Sequence, residues 1–194
     1  MRSSPPAARR PIHTRQVVCE GFLRDDGLWD IEGRLLDTKS DDMENRDRGG
    51  VIAAGEPIHE MAIRVTIDDD MLIRKVEAVT LHSPFSLCGE IAPAFSALEG
   101  AHLGPGILRL VRERFGGVKG CTHLIELMAP IATTAFQTLV SRAKSKSAHG
   151  VGPRIVDSCH ALAADGDVVA RLWPTLSTRE AQDSQVKSGG DGET

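Results

Sequence analysis

The chain has 194 residues, 41% of them apolar, and a formal net charge of −4. That length suits one domain with an ordinary core, and the acidic balance disfavours a nucleic-acid binder, because such domains carry a basic stripe that neutralises phosphates. No stretch approaches the roughly 18 apolar residues of a membrane span, and the basic opening has no apolar segment behind it, so a cytoplasmic protein with no membrane partner is expected.

After a Pro/Arg-rich lead over 1–14, residues 16–24 predict a strand, Asp25-Asp26-Gly27 a tight turn and 28–35 the returning strand. A period of two sets Trp29, Ile31 and Leu35 on one face and Asp30, Glu32 and Arg34 on the other. Asp30 and Glu32 have the spacing of an acid and a base on one strand face, though a solvated strand reads the same way. Residues 38–56, full of Asp, Arg and Gly, predict a long loop. A second hairpin follows, 61–67 joined by Asp68-Asp69-Asp70 to 72–80. His59 falls in phase with Met61, Ile63, Val65 and Ile67, so it should emerge on the buried face, as a satisfied core histidine or as a ligand or base.

The middle third turns helical. Ile91, Phe95 and Leu98 recur at helical spacing before Gly100, and Pro105 opens a helix with Ile107, Leu108, Val111 and Phe115 along one stripe. The clearest helix starts near Cys121, where Leu124, Leu127, Met128, Ile131, Ala135, Thr138 and Leu139 form an inward stripe that Pro130 should kink. Residues 144–152 read as a linker loop, and a last hairpin is expected from 154–163 through Asp165-Gly166 to 168–173. The order strands, helices, strands predicts an α+β domain over 15–175: an antiparallel sheet of hairpins with about three helices on one face, followed by a disordered tail over 176–194.

Chemistry gathers at three places. Cys121 lies just ahead of the long helix, where unpaired backbone donors and the helix dipole favour a thiolate, and His123 two residues on can join it only within the entry turn. Cys88 also precedes a helix, after a strand expected to run beside the one that carries His59. Imidazole plus thiolates is a donor set that zinc or ferrous iron accepts, so His59, Cys88 and Cys121 are the expected ligands, with His123 or Glu126 to move a proton. His102, Cys159 and His160 stand in reserve. Four bases against one acid between Arg109 and Lys119 suit a small anionic ligand, or simply a solvated helix face.

Several runs resemble a bacterial family known as domain of unknown function 2889. They are 24–33 (Arg-Asp-Asp-Gly-Leu-Trp-Asp-Ile-Glu-Gly), 55–61 (Gly-Glu-Pro-Ile-His-Glu-Met), 116–127 (Gly-Gly-Val-Lys-Gly-Cys-Thr-His-Leu-Ile-Glu-Leu) and 157–162 (Asp-Ser-Cys-His-Ala-Leu). The likeness spans roughly 15–175 and implies no activity. A fainter one links 59–137 to NifU-type iron–sulfur scaffold proteins, in which a lone Cys follows the second strand and another opens a long helix. It implies a NifU/IscU-like core with metal-holding positions at His59, Cys88 and Cys121, although the scaffold's first cysteine would fall at Pro57. Three functions stay open: a metal-dependent enzyme on a small anionic substrate, a metal-free enzyme with Cys121 as nucleophile, and a non-enzymatic ligand carrier.

Overall fold

The structure is a computed structural model that describes residues 7–140 and 155–179. These fall into two units, one ending at Leu139 and the other beginning at Val140. In the first, four long strands form an antiparallel sheet in the order β1-β2-β5-β6. Their ranges are His13–Leu23 (β1), Trp29–Lys39 (β2), Pro57–Ile67 (β5) and Ile73–His82 (β6). Both expected hairpins are present, each longer than its hydrophobic alternation alone suggested.

The expected loop over 38–56 instead holds a small hairpin, Met43–Asn45 (β3) and Gly50–Ile52 (β4), joined by a 3-10 turn. The Asn45 side chain caps that turn by accepting from the Arg48 N–H, and Gly49 takes the left-handed conformation that ends it. Three contacts pin this hairpin down: Asn45 Nδ2 donates to the Pro84 carbonyl at 3.0 Å, Arg48 Nη1 to that of Pro57 at 3.3 Å, and the Ser86 N–H to Asp47 at 3.3 Å.

Ile31, Leu35, Met61, Ile63, Val65 and Ile67 supply the sheet side of one continuous core, as the period of two requires. Against them lie a 3-10 run over Ser86–Leu98, helix α1 (Ile107–Phe115) and helix α2 (Thr122–Val140). The first is not the α-helix expected; Pro93 lies inside it and removes a backbone donor. Phe95 and Phe115 stack at 4.4 Å between ring centroids. Helix α2 begins where expected and continues through Pro130.

Two glycines let α2 approach closely. A Cβ on Gly33 would meet Ile131 at 2.7 Å, and one on Gly21 would meet Thr138 at 2.0 Å. From Gly33 to Asp37 a strand rises about 13 Å, and from Ile131 back to His123 a helix rises about 12 Å. The same contact that seats the helix therefore sets His123 level with Asp37.

In the second unit the expected hairpin is overturned. Its described part holds 3-10 turns at His160–Leu162 and Pro174–Leu176 and a short helix, α3 (Asp167–Leu172), with Val169 buried. Asp167 in the first turn and Val168-Val169 behind it fit a helix start, and so short a run carries too few residues for its period to tell strand from helix. The expected linker over 144–152 lies outside the described residues, as do 1–6 of the lead and 180–194 of the tail.

Candidate metal centre

The inward phase of β2 runs past Leu35 to Asp37, whose side chain is fully buried. A carboxylate there needs donors to replace lost water. Strand register supplies them from both sides, since Arg15 is the cross-strand partner of Asp37 on β1 and His59 its partner on β5. Arg15 clamps the carboxylate with Nε at 2.8 Å from Oδ1 and Nη2 at 2.7 Å from Oδ2. His13 Nε2 lies 3.1 Å from Oδ1, and His59 Nδ1 3.1 Å from Oδ2. Burial pushes the Asp37 pKa up, but the hydrogen bonds from Arg15 and His13 and the charge of Arg15 outweigh it and hold the carboxyl at about 2.

Helix α2 contributes the third member. His123 stands in its first turn, with Nε2 3.8 Å from Asp37 Oδ2 and its ring stacked on that of His59 at 3.9 Å between centroids. Burial pushes both imidazoles below their ordinary value. The Asp37 charge opposes this at both rings, and the positive charge of Arg15 reinforces it at both. Both shifts favour the neutral ring, the form that ligates metals. One turn further along α2, Glu126 Oε2 lies 2.5 Å from Arg15 Nη1 and balances part of its charge.

One oxygen of Asp37 and one nitrogen each of His59 and His123 lie within 4.8 Å of one another. Tetrahedral ligands at about 2.1 Å from zinc stand about 3.4 Å apart. The separations of 3.1 and 3.8 Å from Asp37 Oδ2 bracket that value. Each carboxylate oxygen has two lone pairs, so Arg15 and an ion can share Oδ2. The group is capable of coordinating a divalent metal such as iron or zinc.

Residues 13–137, which contain every member of this group, match a family model described as protein of unknown function (DUF2889). The chain belongs to the DUF2889 family. No curated protein and no solved structure matches it significantly. The DUF2889 match stops short of 157–162, so that run lies beyond the matched segment.

Of the residues expected at the site, His59 and His123 come together, and Glu126 stands at the rim on Arg15. Cys121 is adjacent, its Sγ 3.9 Å from His123 Nδ1. Cys88 is half-buried in the 3-10 run, its N–H bonded to the Phe85 carbonyl at 3.2 Å, and no cysteine among the described residues joins the three-residue group. His102 forms a β-bridge with Leu72. Asp30 and Glu32 are absorbed in pairs with Thr66 and Arg64. Sequence reasoning missed Asp37, Arg15 and His13. The usable signal was the phase of β2, which carries an acid two residues past the inward Leu35.

Proposed function

We propose that this DUF2889 protein binds zinc or iron through Asp37, His59 and His123 and acts as a metal-dependent enzyme on a small anionic organic substrate. The observation that carries the reading is a fully buried carboxylate facing two stacked imidazoles. Three protein donors leave coordination positions for water and substrate, and two histidines with one carboxylate form the set used by open zinc and non-haem iron sites. A bound ion there would supply Lewis acidity or a water acidic enough to ionise near neutral pH. Arg15 orients Asp37 from behind, as outer partners of ligating carboxylates do. Glu126, 52% exposed at the rim, has the position of a proton carrier. Without thiolates in the group, a mononuclear ion suits it better than the cluster of a NifU-type scaffold.

Metal analysis of protein made without a histidine tag tests this. About one zinc or iron per chain is expected, with most of it lost in Asp37→Ala, His59→Ala and His123→Ala and retained in Cys19→Ser. Retention in Cys88→Ser and Cys121→Ser assigns the ion to the Asp/His group, whereas loss restores the sulfur ligation expected from sequence. Anaerobically purified protein that holds no metal and takes up neither Zn(II) nor Fe(II) overturns the reading.

A second reading has one observation in its favour. Cys121 Sγ, the His123 ring and Asp37 Oδ2 follow one another at 3.9 and 3.8 Å, the order of a nucleophile, its base and the group that orients the base. Stoichiometric alkylation of Cys121 below neutral pH, in protein free of metal, would select it.

A further inference from the structure

The β3–β4 hairpin and the sheet end where β2 leaves and β5 enters enclose an open cleft of ≈ 640 Å³ with His13 and His59 in its wall. Small-molecule sites span about 300–1,000 Å³. Its apolar lining is Met43, Ile58, Pro84 and Phe85. Ile58 is buried, while Phe85 keeps 60% of its surface exposed, an aromatic face that an apolar ligand would cover.

Two cations and two acids line the cleft beside its histidines. Lys39 is half-buried and forms no ion pair among the described residues, and neither does the exposed Arg46. Lysine carries its charge on a long apolar stem, so Lys39 can present its ammonium to an anion over the apolar wall of the cleft. Of the acids in the lining, Asp47 accepts from the Ser86 N–H, and Glu44 and Asp47 are both exposed. Lys39 is also two residues beyond Asp37 on the same strand and directly opposite His13. A ligand anchored there lies along the wall that holds His59.

We propose that this cleft binds a small amphipathic monocarboxylate, its charge on Lys39 and its apolar body on Ile58 and Phe85, with the reacting part turned toward His59. The proposal names the substrate class of the reading above and rests on it for the chemistry, though not for binding. Lys39 is the half-buried cation of the cleft and matches one negative charge, whereas Arg46 is exposed.

The probe is 3-phenylpropionate, titrated into the full chain and followed by 1H–15N NMR, with 3-phenylpropan-1-ol as its neutral counterpart. Shifts should concentrate at 39–46, 58–59 and 85. Lys39→Gln should weaken the acid by about tenfold or more, and the alcohol should bind the parent as weakly as the acid binds that variant. Phe85→Ala should weaken both ligands. Equal affinity of parent and Lys39→Gln for the acid, equal affinity of the parent for acid and alcohol, or no binding at millimolar probe overturns the proposal. Metal content measured on the same samples separates the two readings. Binding that survives in metal-free protein upholds the cleft even where the metal reading fails, and metal without probe binding overturns the cleft alone.

Discussion

Asp37 and Arg15 decide what this centre is. Arg15 is 36% exposed while its partner carboxylate is wholly buried, so removing the guanidinium strands a charge that water cannot reach. Arg15→Gln should destabilise the fold by roughly 2 kcal/mol, less than the ~3–5 kcal/mol of a fully buried pair because Arg15 is part-solvated. It should also cut metal affinity about 10–100-fold, the usual effect of losing an outer partner. Urea unfolding and a competitive chelator titration measure the two effects, and unchanged affinity would show that Arg15 does not orient the ligand. At this scale sequence alone went only part of the way. His59 was legible because its phase matched four apolar neighbours, but Asp37 was lost among Asp41, Asp42 and Glu44, acids that look alike until strand pairing sorts them. His123 was seen, yet it was grouped with sulfur because the helix itself was legible while its docking over Asp37 leaves no local signal.

Among the elements, the strands carrying strict alternation were readable and the short segments were not. β2 buries one face, as β5 does over 61–65, and a shift of one residue would expose it, so the alternating pattern fixes them. The 168–173 stretch lacks that length, and there local helical preference prevailed. The turn from β5 to β6 hangs on Asp68, whose carboxylate accepts from the N–H groups of Asp70 and Leu72 at 3.0 and 2.9 Å and from Arg74 Nη2 at 2.6 Å. Burial raises its pKa, but these partners outweigh burial and the net shift is below the ordinary 3.8. Because the folded value is depressed, the stabilisation is complete above that ordinary value and is lost as pH falls through the lower folded one. Asp68→Asn should therefore lower the melting temperature near neutral pH and flatten its acid limb as pH falls below about 4. Parallel curves for parent and variant across that window would refute the assignment.

Across the first unit, the two fully or nearly buried acids are both answered by cations. Asp37 has Arg15, and Glu60, 7% exposed, has Arg34 and, at 2.7 Å, His82. Small metal domains commonly lack this arrangement and depend on the ion itself for their folding energy. Here the guanidinium does that work beforehand. Prolonged dialysis against a chelator should leave the far-UV circular dichroism intact and the melt cooperative, with the midpoint lower by the linkage contribution of the lost ion. Collapse of that signal would show that the ion, and not Arg15, completes the core.

The clamp on Asp37 thus sets an order of events. With its own resident counterion, the polypeptide can finish assembling in a cell compartment short of transition metals and acquire its cargo afterwards, by exchange into a finished pocket. Occupancy would then report metal supply and not folding history.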